Sequence, residues 1–541
     1  MKRILHLVLI LLLLGACGEK TDASGAYKLS KTGEAILTGE AFQDAAASED
    51  NNRVFYEIFV GSFSDSNGDG IGDLQGILNR MDYLNDGDPA SGLSLGVEGL
   101  WLTPIFKSLS YHKYDVNDYY EIDPSFGTME DLQALIEACH SRGMKLILDL
   151  PINHTGPLNP WFMDFRSAHR SGDTTDPYYD FFCYYHAGES APAGRSFAQL
   201  SGTDDYYECN FSGDMPELNF DTPEVRQAVL DVAKYYLELG VDGFRFDAAK
   251  YIFFGDNVKS AAFWQWYIGE LKKINPEVYT VAEVWDSDGV TDLYYPALNC
   301  FNFTTSQASG LIAETAKKGN VNSYTSYVEQ YLNKIHSIRS DAMILPFIAN
   351  HDTDRAAGYL TAASGSAQMA ANLYLLSSGS PFIYYGEELG MRGSRGGSNT
   401  DANRRLAMLW GDGDTVKDPT GADYNPTNQT DATVAIQKAD GQSLLSYYKK
   451  LLMIRKANPE IARGEYKALR VPDSKVGGFT ASWNGSTVLV LHNTTGSAVT
   501  LDLKKLTDHA FSAIRAFIGQ EEASLEGTVL TLGAQTSVVL K

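Results

Sequence analysis

Eight apolar, strand-like runs alternating with amphipathic helical stretches predict an α/β chain. The expected core is a (β/α)8 TIM barrel, with a small domain inserted after the third strand and a C-terminal antiparallel β-sandwich domain. Three observations carry this prediction: the alternation between residues 54 and 460, one gap of about 65 residues within it, and a change of composition after it.

The first run, VFYEIFVGSF (54–63), leads into a helical pattern over 74–84, and VEGLWLTPIF (97–106) precedes MEDLQALIEACHSRG (129–143). KLILDLPINH (145–154), VDGFRFDAA (241–249) and YTVAEVW (279–285) are the third to fifth runs. CFNFTT (300–305), AMILPFIANHD (342–352) and PFIYYGEELG (381–390) complete the eight. The gap lies between INH at 152–154 and the helical TPEVRQAVLDVAKYYLELG (222–240). A structureless loop that long is rare, so residues 155–220 are read as an inserted domain. After SLLSYYKKLLMIRKANPE (443–460), short alternating segments such as TVLVLHNTT and TSVVLK are rich in Thr and Val. They predict a β domain over 466–541, leaving 51–154 and 221–465 to the barrel.

The 44 basic and 68 acidic residues give a formal net charge of −24, which excludes a nucleic-acid partner needing a basic surface. Aromatic residues make up 12% of the chain, with 31 tyrosines, enough to offer flat faces to a neutral ligand besides packing the core. Lys2 and Arg3 precede an apolar run over 4–14, about half the length that spans a bilayer. It ends in LGAC, which resembles a bacterial lipobox. The expectation is export, cleavage before Cys17 and lipidation of Cys17, with 1–17 as signal and the polar residues 18–50 as a tether. That places the protein at a bacterial membrane or cell surface, with the membrane as a partner through its lipid. Export permits disulfides, and Cys183 with Cys209 is the one pair considered, although spacing alone does not settle it. Nothing in the sequence sets the oligomeric state; a monomer is the favoured expectation.

Three strand ends carry an acid: Asp247 on the fourth, Glu283 on the fifth and Asp352 on the seventh. They are 36 and 69 residues apart, near one and two barrel repeats of about 31 residues, so all three are expected at the C-terminal mouth. Glycoside cleavage needs such a set, one carboxylate to attack the anomeric carbon and a protonated second to serve the leaving oxygen. Arg245, on the same strand face as Asp247, would pair with it and favour its charged form. Glu283 has apolar company in AEVW that would favour its protonated form. Asn350 and His351, before Asp352, could hold a sugar hydroxyl.

DLPINH (149–154), GFRFDAAK (243–250), AEVW (282–285) and ANHD (349–352) resemble, in order, the four short conserved regions of the α-amylase family of retaining glycoside hydrolases. MPELN (215–219) and GSPFIYYGEELGM (379–391) are similar to further family segments, and the match runs from about 54 to 541. The resemblance implies Asp247 as nucleophile, Glu283 as general acid/base and Asp352 as transition-state stabiliser. It also implies that Arg245, His154 and His351 hold the sugar, and that Tyr114 and Asp115 in YHKYD match the stacking tyrosine and its neighbour. The family more often has Gly where Lys113 stands. Asp401 and Arg405 resemble the pair that grips the same sugar from beyond the eighth strand. Lys250 is open between gripping a neighbouring glucose and lying in solvent.

DSNGDGIGD (65–73) places Asp65, Asn67, Asp69, the Ile71 carbonyl and Asp73 at positions 1, 3, 5, 7 and 9 of a calcium-loop pattern, with Gly70 at the sharp turn. Position 12 is Gly76, so no EF-hand is implied. A structural Ca²⁺ is expected there, as in oligosaccharide-cleaving relatives with a similar loop. A second calcium using Asn153 is a further implication, weakened because Tyr251 replaces the usual His. AAK after the nucleophile and NHDTDR (350–355) look like α-amylases, while MPELN and the first-strand loop look like the oligosaccharide-acting side. The expected function is endo-type hydrolysis of α-1,4-glucan in starch or maltooligosaccharides with retention. The alternatives are an exo-acting α-glucosidase, or a cyclodextrin- or pullulan-cleaving enzyme. A glycan-capturing surface lipoprotein without catalysis would lack one of the three carboxylates, and none is missing.

Overall fold

The computed structural model describes residues 34–37, 44–360, 365–396 and 401–541. The signal segment, Cys17 and most of the expected tether lie outside them. Among the described residues no helix is long and apolar enough to cross a membrane.

Seven strands form one parallel sheet. The first is Phe55–Ile58, the second Gly99–Leu102, the third Lys145–Leu150, the fourth Gly243–Phe246, the fifth Tyr279–Ala282, the sixth Asn299–Cys300 and the eighth Phe382–Tyr384. In space they run sixth, fifth, fourth, third, second, first, eighth. The seventh position is filled by 344–346. Asn302 donates to the Leu345 carbonyl at 3.1 Å, while Ser380 and Phe382 donate to those of Ile344 and Pro346 at 3.0 Å. The ring therefore closes. Pro346 has no N–H to give back, so the ladder here lacks one donor.

Strand alternation separates two cores. Phe55, Trp101, Ile147, Tyr279, Phe301 and Phe382 belong to one cluster inside the barrel. Phe244 and Phe246 belong to the larger cluster with the helices, Phe246 lying 4.6 Å from Trp264 between ring centroids. Arg245, between them, therefore points into the barrel. Gly243 is where the fourth strand presses on the fifth: a Cβ there would lie 1.8 Å from the Tyr279 carbonyl oxygen.

Residues 155–220 carry the helix Pro160–Ser171 and a three-stranded antiparallel sheet of Tyr184–His186, Asp205–Glu208 and Phe197–Gln199. The segment returns to the barrel through a bridge between His154 and Glu217, and a second bridge, Phe182 with Leu218, closes it on itself. At the C-terminus a six-stranded and a three-stranded antiparallel sheet enclose Val476, Leu489, Leu491, Leu530 and Val538. One edge of the larger sheet is Glu34–Leu37, paired antiparallel with Ile514–Gly519. This departs from the expected tether over 18–50. An exposed sheet edge offers unpaired backbone groups that a preceding segment can satisfy. The Ser48 amide also donates to Glu98 at 3.0 Å, and Asp50 pairs with Arg463 at 2.7 Å. Cys183 and Cys209, considered as a disulfide, are free thiols, as are Cys139 and Cys300.

Candidate active site

The C-terminal mouth of the barrel opens into a cleft of about 840 Å³. Asp247, Glu283, Asp352, Tyr114, His154, Lys250, Asp401 and Arg405 line it together. The centre is one guanidinium. Arg245 is fully buried, and its Nη1 lies 2.9 Å from Asp149 Oδ1 and 2.5 Å from Asp247 Oδ1. Its Nη2 is 3.1 Å from Glu283 Oε2, an ion contact without hydrogen-bond alignment. The backbone turns sharply here: Ala248 adopts φ 48°, and its N–H donates to Glu283 Oε2 at 3.1 Å. A non-glycine residue in the left-handed region is strained, and here that conformation aims an amide at the acid.

Burial pushes Glu283 up to about 7; Arg245 pulls against this, and the Asp247 and Asp352 charges add to the rise. Asp149 is likewise pushed up to about 7 by burial, against Arg245. Its neighbours are donors on both oxygens, namely Arg245, Trp101 Nε1 at 3.3 Å and Tyr114 OH at 2.9 Å. For Asp352, burial would raise the carboxyl, yet the His351 charge and hydrogen bond, together with Arg405, hold it well below the usual carboxylate range. Arg405 Nη2 lies 2.7 Å from Asp352 Oδ1, and its Nη1 donates to Tyr111 OH at 2.9 Å.

Several expected sugar-binding residues sit elsewhere than at the cleft surface. Asp115 does not line the cleft. It is buried and accepts from Ser108 Oγ at 2.7 Å and from Ser110 Oγ, bracing the loop that presents Tyr114. His351 is fully buried beneath Tyr114, with rings stacked at 5.5 Å, and both its nitrogens are engaged within the protein. Asp401 pairs with Arg404 at 3.0 Å and Arg405 with Asp352, and both side chains line the cleft. His154 Nε2, by contrast, has no hydrogen-bond partner among the described residues and belongs to a cleft-lining ring. Lys250 Nζ is held by the Trp285 carbonyl at 2.8 Å and Asp286 at 3.0 Å. Lys113 takes φ 64°, the conformation for which glycine is suited, and its Nζ forms a 2.8 Å ion pair with Asp123.

Sequence reasoning assigns no role to Asp149, Glu57, Tyr111, His112, Phe211 or Trp285. Asp149 has a signal, a lone charge inside the apolar run KLILDL. Trp285, 41% exposed and stacked on Phe303 at 4.9 Å, and Phe211, 46% exposed, are apolar faces at the cleft. Exposure of large rings beside polar groups marks a binding surface, but only coordinates reveal it.

The first-strand loop folds as a series of side-chain turns. Asp65 Oδ1 accepts from Asn67 and Gly68, Asn67 Oδ1 from Asp69, and Asp69 Oδ1 from Ile71, all at 2.7–3.0 Å. Asp73 caps the next helix through Gly76 at 2.6 Å and accepts twice from Ser66. These hard oxygens suit Ca²⁺ in kind. Among the described residues, however, no three His, Cys, Asp or Glu side chains converge as a metal-holding group. A calcium would therefore need Asp65, Asn67, Asp69, Asp73 and the Ile71 carbonyl to draw together around it. Asn153, the residue of the further expected site, is buried with its amide 3.5 Å from His154 Nδ1.

The chain is similar to known proteins. A family model for the catalytic domain of alpha-amylase matches residues 57–464. "Alpha-amylase 3" of Dictyoglomus thermophilum is 36% identical over 445 residues, covering 82% of this chain and 84% of that protein. A 4-alpha-glucanotransferase of Thermotoga neapolitana is 30% identical over 449 residues, covering 81% and 95%. The solved structure of Eubacterium rectale Amy13B superposes with a TM-score of 0.85 at 32% identity, covering 93% of this chain and 98% of that one.

Proposed function

The chain belongs to the α-amylase family and is a glycoside hydrolase of amylase type, and from that premise we propose that it cleaves internal α-1,4-glucosidic bonds of starch and maltooligosaccharides with retention. The carrying observation is that Asp247 and Glu283 share the Arg245 guanidinium, with Glu283 raised to about 7. Two carboxyls drawn to one cation suit the short separation of retaining enzymes, about 5–5.5 Å, better than the wider one that admits a water. Asp247 attacks the anomeric carbon while Glu283 gives its proton to the leaving oxygen. Glu283, now a carboxylate, takes a proton from water, whose oxygen displaces Asp247. Asp352, held anionic by His351 and Arg405, faces the positive charge that develops on the sugar ring. His154, Tyr114 and the Trp285 and Phe211 rings offer polar and stacking contacts to glucose units.

Product profiles over time on soluble starch, pullulan and maltotriose test this. Rapid loss of iodine staining with mixed short products is expected. Glucose alone from the first minute would instead identify an exo-acting α-glucosidase. Longer oligosaccharides from maltotriose with little gain in reducing ends would identify a transferase. We further propose that the 65–73 loop holds a structural Ca²⁺. Exhaustive chelation should then remove about one equivalent of calcium and lower the unfolding temperature; no change in either rejects it. Export and lipid anchoring through Cys17 complete the proposal, and Cys17→Ser should release the protein from membranes.

A further inference from the structure

We propose that Glu57 is a positioning residue that keeps His351 doubly protonated, so that an imidazolium backs the Asp352 carboxylate throughout neutral pH. This deepens the glycosidase reading and rests on it only for the role of Asp352. Glu57 lies on the first barrel strand, is 1% exposed and does not reach the cleft, so it can act only through another residue. Its Oε1 is 2.5 Å from His351 Nδ1 and accepts from the His351 amide at 3.3 Å. On the other side of the ring, Nε2 lies 3.0 Å from Asp352 Oδ2 and 2.7 Å from Tyr114 OH.

Hydrogen-bond accounting then decides the protonation state. Glu57 and Asp352 offer carboxylate oxygens, which accept. Tyr114 spends its proton on Asp149 Oδ2, an oxygen already surrounded by donors, and turns a lone pair to the ring. Each ring nitrogen thus faces acceptors, and a neutral imidazole would leave one of them lone pair to lone pair. The charges facing the ring are Glu57, Asp352 and, through Tyr114, Asp149; Arg405 meets the His351 carbonyl and Asp352 rather than the imidazole. Trp101 meets the ring at 5.7 Å, edge on, and excludes water. Burial alone would make the ring neutral, yet the two carboxylates raise it to about 10. Removing the Glu57 charge should return the ring to titration near or below its ordinary value of about 6.5.

The test is Glu57→Gln in the full chain, with Glu57→Asp as the conservative partner. Glutamine can present its N–H₂ to Nδ1, which supports a neutral ring carrying its proton on Nε2. In the wild type, histidine-selective ¹⁵N NMR without substrate should show one buried ring, lost in His351→Gln, protonated on both nitrogens up to at least pH 8. In Glu57→Gln that ring should titrate below pH 7. On maltooligosaccharide, kcat should fall about tenfold or more at pH 7.5 with KM little changed, and the deficit should shrink as pH falls toward 5. Glu57→Asp should restore most of the activity and the doubly protonated ring. A wild-type His351 that is neutral at pH 7.5 overturns the proposal, whatever the variants do. So does a Glu57→Gln deficit that is independent of pH. Because the NMR readout needs no substrate, a wrong glucan assignment would leave it intact.

Discussion

At Glu283, burial and a neighbouring guanidinium pull in opposite directions, and burial wins. The acid form is therefore present below about pH 7 and is lost as pH rises through it. The basic limb of the kcat/KM profile should fall near pH 7, provided the group acts as the proton donor. Glu283→Gln keeps the contact with the Ala248 amide but has no proton to give. The expected loss in kcat is about 10²–10⁴-fold with oligosaccharide binding retained. A turnover within threefold of wild type would remove Glu283 from the mechanism. Lys113 makes a second point at the same scale. Its left-handed backbone costs about 1–2 kcal/mol, which glycine would relieve. Lys113→Gly would also remove the ion-pair partner of buried Asp123 at 2.8 Å, leaving it the hydrogen bonds from Ser108 and Ser125, at about 3–5 kcal/mol. Urea unfolding should therefore show Lys113→Gly less stable by roughly 1–4 kcal/mol, the difference of those two ranges. A gain in stability would show that the ion pair does little.

On the Asp247 side of the cleft the inserted domain meets the barrel through the Phe211–Tyr251 and Phe220–Phe253 ring contacts and through the side chain of Arg195. Arg195 Nη1 lies 2.8 Å from Glu208, and Nη2 donates to the Phe254 carbonyl at 3.2 Å, in the segment that follows the fourth strand. Glu208 is 1% exposed and repels Glu217, which burial first and then that charge push up to about 7. Arg195→Ala should loosen this docking, raising KM severalfold and exposing the 184–208 sheet to limited proteolysis, while the barrel stays folded. Unchanged protease resistance would refute it. The elements themselves are legible because a buried parallel strand must be an apolar run, and an acid ending such a run is conspicuous. The seventh strand reads as apolar too, but Pro346 within it removes a donor from its ladder. What the sequence hides depends on partners far away in the chain. Glu57 gains meaning only against His351, 294 residues on, and Asp149 only against Arg245, 96 residues on. Motif matching locates Asp115 and His351 but not the direction of their side chains, and both turn into the protein. Glu34–Leu37 reads as tether because its partner strand, Ile514–Gly519, lies at the other end of the sequence.

Across the whole molecule, the buried acids set a common direction for stability against pH. Glu283, Asp149 and Glu217 are each raised to about 7, and Glu387 to about 8, in every case first by burial. Each holds its proton more tightly folded than unfolded. Between its unfolded value, about 4, and its folded one, stability is lost as pH rises. His351, raised to about 10, adds the same sign: its contribution is complete below about 6.5 and is lost as pH climbs through 10. The formal charge of −24 at pH 7 adds self-repulsion in the same direction. Against these stand carboxyls held low. For Asp205, burial would raise the carboxyl, but hydrogen bonds from His169 and His186 overcome it. Its contribution is therefore present above about pH 4 and lost in acid. The unfolding temperature should therefore peak near pH 5 and decline steadily to pH 9. Glu387 isolates one contributor, because Tyr374 at 2.6 Å and Tyr448 at 2.9 Å both donate to its Oε1, which a glutamine carbonyl can replace. Glu387→Gln should match wild type within a few degrees at pH 5 and outlast it at pH 9, flattening the decline. An identical slope in both proteins would mean that Glu387 does not take up its proton on folding.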